Sequence, residues 1–249
     1  LRKLFNRKLY IGKVMREGKW CATSILVLVG SIPTPKFFIY FKKFRGEIAV
    51  SGCPHTEAIC MLKKRDLSDC PVLFDLMTHP DVFPYVRHKT KQYEEYLFIT
   101  KQTIEAEERG ELISRTILDE WGNPIGTITL YDISNNAGFL GTWLGKPYHG
   151  KGFNALAKQQ FFEELFFNLN IETIFLRIRK NNIRSLKAAL KMPYTLAANE
   201  TRASLYEEIN AEGPIYDLFE ISKDHFMLAQ KRFDTEVSAE LSIYGAKEA

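Results

Sequence analysis

The chain has 249 residues, 45% of them hydrophobic and 26% charged, a composition that excludes a disordered or membrane-embedded protein and fits an ordinary globular one. Its formal charge of +4 is unevenly spread: residues 1–60 hold 11 Lys and Arg against 3 acids, and the other 189 residues hold 23 against 27. The body therefore lacks the basic face that phosphate neutralisation requires, which excludes nucleic acid as its main partner.

The first 58 residues show no sustained periodicity despite their many aromatics. The apolar stretch Cys21–Ile32 falls short of the ~18 residues of a membrane span, Pro33, Pro35 and Lys36 interrupt its continuation, and no small-residue cleavage site follows. Neither an anchor nor a signal peptide is expected. Cys21, Cys53, Cys60 and Cys70 match no CxxC spacing, and Cys53, His55 and Cys60 make a poor metal set. Free thiols in a reducing cytoplasm and no metal are the expectation.

Regular patterning begins near Ile59. Ile59–Lys63 reads as a short strand, and Asp66–Met77 as a helix capped by Asp66 or Ser68 and stopped by Pro80. Thr90 can cap a second helix, in which Tyr93, Tyr96, Leu97, Thr100 and Ile104 recur at helical spacing before Gly110. Ile113–Leu118 and Ile125–Asp132 form a hairpin, and a turn at residues 134–136 leads to Gly138–Leu144, an apolar run suited to a central strand. Phe153–Leu169 is a helix with Phe161, Phe162, Leu165, Phe166 and Leu169 on its inner face. Thr173–Arg179 alternates as a strand, and Asn182 opens a short helix through Lys191. Ile215–Ser222 is the last strand, and Ser222 caps a terminal helix, Lys223–Arg232. These limits divide the chain into residues 1–60, a basic extension dispensable for the chemistry or lying ahead of the true start; residues 61–232, the folded domain; and residues 233–249, a tail.

The informative stretch is Phe139–Lys158, FLGTWLGKPYHGKGFNALAK, where a strand runs through a loop holding Gly150 and Gly152 directly into a helix. Glycines allow a tight turn and close approach of a ligand, and the first N–H groups of the helix lack partners and carry the positive end of its dipole. A pyrophosphate suits that position. A P-loop reading fails because Gly152 stands where the magnesium-binding hydroxyl is required. A dinucleotide reading of Gly150, Gly152 and Ala155 fails because Glu172, the acid about 20 positions on, precedes a strand instead of ending one.

Pro147, Tyr148, His149, Gly150, Lys151 and Gly152 fit the Q/R-x-x-G-x-G/A motif, with Pro147 replacing the first polar residue. Asn182, Ile183, Arg184 and Ser185 fit a second motif, Asn-x-x-Ser, at the start of the later helix. Together with the opening segment Leu62–Val86, these resemble the Gcn5-related N-acetyltransferases, most closely the ribosomal-protein-alanine N-acetyltransferase branch, over about Cys60 to Phe226. The resemblance implies an α/β fold of the α+β kind: a mixed, mostly antiparallel sheet flanked by helices and splayed between its fourth and fifth strands. It implies acetyl-CoA as cosubstrate, with no metal, and direct attack of a primary amine on the thioester. Tyr148, His149, Gly150, Lys151, Gly152 and Phe153 would hold the pyrophosphate, backbone groups of Thr142 and Leu144 the pantetheine arm, and Asn182 and Ser185 would lie near it. Asn182 also reads simply as a helix N-cap.

Counting from Asn182 puts Ala189 where many relatives carry a Tyr general acid, and Pro193 where they carry Gly. Ser185 is the substitute within reach of the sulfur, and Glu207, with Glu208, is the best distant base. A backbone N–H at the end of strand Gly138–Leu144 is the expected oxyanion donor. Glu200, Glu207, Glu208 and Glu212 in the long connection after Tyr194 could form an acidic wall suited to a cationic acceptor such as a polyamine or aminoglycoside, whereas the branch favours a protein N-terminal α-amine. An acyl-CoA-binding module without turnover is the alternative of a different class. The expected setting is a cytoplasmic monomer or homodimer, with no nucleic-acid or membrane partner.

Overall fold

The computed structural model describes residues 8–16, 19–27, 62–232 and 235. Ile59 to Met61, the Cys53, His55 and Cys60 set and all but one residue of the tail lie outside them. The chain divides into two compact units, Leu1–Ala58 and Ile59–Ala249. In the first, Lys8–Arg16 and Lys19–Val27 pair antiparallel from Lys8↔Val27 to Arg16↔Lys19. This hairpin was not legible as an element, because neither segment alternates cleanly between apolar and polar residues. Among the described residues no helix is long and apolar enough to cross a membrane.

The second unit contains a seven-stranded sheet. Its strands are β1 (Leu62–Lys64), β2 (Ile113–Leu118), β3 (Pro124–Ser134), β4 (Ala137–Leu144), β5 (Thr173–Arg179), β6 (Leu196–Ala197) and β7 (Tyr216–Ser222). They lie in the order β1-β2-β3-β4-β5-β7-β6, antiparallel except for β4 with β5. Asn135 and Asn136 make the tight β3–β4 turn with φ of 49° and 58°, the left-handed backbone such turns require and Asn tolerates.

The helices are α1 (Cys70–Met77), α2 (Tyr93–Glu108), α3 (Phe153–Glu163), α4 (Ile183–Leu190), α5 (Ala203–Ile209) and a terminal helix over residues 223–232. Asp66 caps the 3-10 turn that leads into α1 by accepting from Ser68 N at 2.7 Å. Thr90 lies just ahead of α2, its hydroxyl accepting from Gln92 N at 3.1 Å. The long connection after Tyr194 is structured, since β6 and α5 form within it. α5 packs Leu205, Tyr206 and Ile209 over Phe175 and Leu218.

Beneath the other sheet face, α3 and the turn that follows it bring Phe161, Phe162, Leu165 and Phe166 to essentially full burial, worth about 2–3 kcal/mol per phenylalanine relative to exposure. Phe162, Phe166, Tyr194 and Phe226 meet with ring centroids 5.0 to 6.3 Å apart. The helix does not run on as α to Leu169. Glu164–Asn168 is a π turn, closed by Leu169 N donating to Glu164 O at 3.1 Å. The wider turn rotates Leu169 outward, so this expected core residue is 39% exposed.

Candidate active site

The two central strands part early. β4 and β5 pair only at Ala137↔Thr173, Gly138↔Ile174 and Phe139↔Phe175, whereas β4 stays laddered to β3 as far as Leu144. Gly126 on β3 permits this bending. A Cβ there would meet Trp143 O at 2.2 Å, so only glycine lets the outer half of β4 lie so close to β3 and peel away from β5. The resulting slot encloses about 530 Å³.

Strand alternation gives the slot two mouths of different character. Leu140, Leu144, Leu176 and Ile178 belong to the core on the α3 side, so Thr142 faces that side too. Asn154 and Lys158 of α3 and Ser185 and Ala188 of α4 complete this half. The Thr142 hydroxyl is buried without a hydrogen-bond partner. On the opposite side, Phe139 packs with the α5 cluster and Trp143 with α1 and α2. There the lining includes Arg87, Lys89, Tyr131, Arg177 and Arg179, and no described lining residue of either mouth is acidic. Arg87 lies 4.2 Å over the Tyr131 ring while pairing with Asp132 at 3.0 Å, and Arg177 lies 5.2 Å over Phe139.

At the end of β4 the loop is pinned by Gly145 N donating to Ile125 O at 2.8 Å. Gly150 and Gly152 have φ of 76° and 92°, with nothing within 4 Å of where a Cβ would stand. Gly152 is the N-cap of α3 and offers no side-chain cap. The N–H groups of residues 150–154 take no acceptor among the described residues, the first intrahelical bonds coming from Ala155 and Leu156 to Gly152 O. This is an open, positively polarised helix start beside the slot. Tyr148 packs edge-on to Phe153 at 5.9 Å and carries the Lys151 ammonium 5.7 Å from its ring.

His149 braces the loop. Arg184 Nη1 donates to its Nδ1 at 2.8 Å, which leaves Nε2–H to donate to Leu144 O at 2.8 Å. Burial, aided by Arg184 and Lys146, holds the imidazole below its ordinary pKa, in keeping with this neutral form. The Leu144 carbonyl is thus already engaged by protein. Asn182 caps α4, accepting from Ser185 N at 3.2 Å, and both residues line the slot.

The structure brings Thr142, Asn182 and Ser185 together at the slot and sets Leu144 and residues 148–153 at its end. It does not bring Glu207 there: that residue is exposed on α5, and Glu200, Glu208 and Glu212 are exposed as well. None of the four lines the slot, so the acidic wall expected around the acceptor does not form. Ala189 is buried in the core at 1% exposure, and its neighbour Ala188 is the residue facing the slot. Sequence reasoning missed Arg184, which braces His149, and Lys158, whose signal was its place four residues before Phe162 on the inner stripe. Burial lowers the Lys158 ammonium to about 8, although part of its side chain stays open to the slot.

The family model described as an acetyltransferase (GNAT) domain matches residues 61–195. No curated protein matches the chain. Among solved structures, the chain is similar to apo FdhC, a nucleotide-linked sugar GNAT, with 18% identity, a TM-score of 0.56, and 70% of this chain and 92% of that one covered. It is similar to RimL, a ribosomal L7/L12 alpha-N-protein acetyltransferase, at 18% identity and a TM-score of 0.54, covering 65% of this chain and 88% of that one. The spermidine N-acetyltransferase of Vibrio cholerae in complex with CoA and spermine has 14% identity and a TM-score of 0.54, covering 67% and 96%. At these identities the structures establish a shared fold, and the family match establishes the rest: this chain belongs to the Gcn5-related N-acetyltransferases.

Proposed function

We propose that the chain transfers the acetyl group of acetyl-CoA to a primary amine by direct attack on the thioester. The observation that carries this reading is the slot between β4 and β5, with the unpartnered N–H groups of residues 150–154 at its end. Those groups suit the pyrophosphate. The slot suits an extended arm whose amides can pair with β4 as an added strand does, and the orphaned Thr142 hydroxyl offers that arm a further partner. A backbone N–H near the end of β4 would stabilise the oxyanion, with Asn182 and Ser185 flanking the thioester. The amine nitrogen must be unprotonated to attack, and its surplus proton leaves to water.

The lining charges favour one acceptor class over another. Arg87, Lys89, Arg177 and Arg179 repel a polycation, and no lining carboxylate attracts one. A protein N-terminal α-amine, borne on a neutral or acidic segment, fits this mouth better than a polyamine or aminoglycoside. We place the reaction in the cytoplasm, in keeping with the free thiol of Cys70.

Release of free thiol from acetyl-CoA, measured with a panel of peptides, polyamines and aminoglycosides, tests both parts. Turnover with uncharged or acidic peptide amines is expected. Tight acetyl-CoA binding with no turnover across the panel would leave a binding module, and preference for spermine would overturn the acceptor reading.

A further inference from the structure

Collapse of the tetrahedral intermediate releases a thiolate, and in a slot walled by Leu140, Leu176 and Ile178 that anion needs a proton or a counter-charge. α4 is poorly equipped to supply one. Ala188 and Ala189 have no proton to give, and the Ser185 hydroxyl is a weak acid. α3 is better equipped, because Lys158 stands four residues beyond Asn154 on the same side of the helix, and both line the slot. Lys158 lies about 6 Å farther along the axis from the loop, so an arm entering from the helix start passes Asn154 first and Lys158 deeper in.

Lys158 has no ion pair and no hydrogen bond among the described residues. The titratable groups that share the slot are Arg87, Lys89 and Tyr85 ahead of α2, Tyr131 on β3, Arg177 and Arg179 on β5, and Tyr216 on β7; α3 and α4 add none besides Lys158. None of these is a carboxylate. A cation drawn out of water with no opposite charge costs stability, and the slot offers it no partner until a ligand with negative charge arrives.

Resting on the acetyltransferase reading above, we propose that Lys158 is the general acid that protonates the departing thiolate. The amine nitrogen bonds to the acetyl carbon, the C–S bond breaks, and its electron pair stays on sulfur. Sulfur then takes a proton from Lys158 Nζ. The amine's surplus proton goes to water, and water restores the proton to Nζ, so thioester and amine become amide and thiol. With burial holding it at about 8, Lys158 is mostly protonated at neutral pH and gives up its proton far more readily than an exposed lysine.

The test is the pH dependence of kcat in the full chain, with acetyl-CoA and the best amine of the panel, for the wild type, Lys158→Met, Lys158→Arg and Ser185→Ala. The wild-type rate is expected to fall above about pH 8. Lys158→Met should lose on the order of 10²-fold in kcat at pH 7, lose the high-pH fall, and bind acetyl-CoA with nearly unchanged affinity, which also reports that it is folded. Lys158→Arg keeps the charge but does not release a proton, so it should stay slow, whereas Ser185→Ala should keep the high-pH fall. A wild type with no fall above pH 8, a Met variant with wild-type rate and profile, or full activity in the Arg variant overturns the proposal. A wild type that acetylates no amine overturns the acetyltransferase reading and this proposal with it.

Discussion

Arg115 and Lys158 are both cations drawn out of bulk water, and their surroundings are opposites. The Arg115 side chain on β2 is 8% exposed and held on several sides: Nη1 donates to Glu107 Oε1 at 2.5 Å and to Ser114 O at 2.6 Å, while Nε and Nη2 reach Glu164 at 3.0 and 2.5 Å. Burial works against its charge, but Glu164 and Glu107 more than offset that and hold the guanidinium above its ordinary range. Lys158 has no such clamp. The same contrast recurs in other chemistry. The buried hydroxyls of Ser114 and Thr129 bond to each other at 2.8 Å, while that of Thr142 bonds to nothing. α4 is capped by Asn182, while α3 starts at an uncapped glycine. Away from the slot, Asp69 Oδ2 and Thr195 Oγ1 are the buried side-chain polar atoms left without a partner among the described residues. Along it, a cation, a hydroxyl and a helix start are left for a ligand.

That contrast can be broken experimentally, and the largest effect is expected where the protein is made to satisfy its own open helix start. Gly152→Asp places a carboxylate against the free N–H groups, and should abolish acetyl-CoA binding by calorimetry while the protein stays folded. The dipole interaction, worth ~0.3–1 kcal/mol, offsets part of the ~1–2 kcal/mol of a side chain at left-handed φ, a net cost small enough to leave the fold standing. Unchanged affinity would show that this loop is not the phosphate site.

Next in size is the satisfied cation. Arg115→Met strands Glu107 and Glu164 and should cost about 3–5 kcal/mol in urea unfolding. A loss below about 1 kcal/mol would mean that the clamp contributes little to joining α2, β2 and the π turn.

The unsatisfied cation should behave in the opposite sense. Lys158→Met should stabilise the protein without acetyl-CoA by roughly 1–3 kcal/mol at pH 7. The folded pKa of about 8 lies below the unfolded 10.5. The penalty for charge is therefore fully present below about pH 8, and is relieved as pH rises through 8 to 10.5. The wild type should gain on the variant over that window, and unfolding midpoints that stay parallel from pH 7 to 10.5 would show Lys158 to be well solvated.

The smallest effect is expected outside both regions. A chain beginning at Met61 should bind acetyl-CoA within about twofold of the full chain, since the unit Leu1–Ala58 is compact by itself and the family match starts at residue 61. An insoluble product, or one that does not bind, would place the boundary elsewhere.

The fold was legible where one signal dominated. Ile174, Leu176 and Ile178 alternate, and Thr173–Arg179 is a strand over just those residues. Gly150 and Gly152 marked the loop because their backbone angles exclude most side chains. The π turn was not legible, since Phe161, Phe162, Leu165 and Phe166 follow the same spacing in an unbroken helix. β6 is two residues long and has no period to read, whereas Leu205, Tyr206 and Ile209 did carry the helical spacing of α5. The site was read unevenly for a related reason. Backbone-driven features announce themselves through glycine and cap residues. The roles of Glu207 and Lys158 depend on which way a side chain faces, and the acids of the long connection turned out to face solvent.

With only Ala137, Gly138 and Phe139 paired to β5, the outer half of β4 is laddered on one side alone. In an antiparallel ladder, alternate residues turn their N–H groups to opposite sides. Among residues 140–144, some amides are therefore held by β3, while the others point into the slot, where water or a ligand must take them. Exchange with deuterium should sort this strand by alternation instead of depth, fast and slow sites interleaving over five residues. A molecule lying in the slot would slow the fast sites while leaving the slow ones as they were, so this half-strand carries its own gauge of occupancy, readable without any turnover.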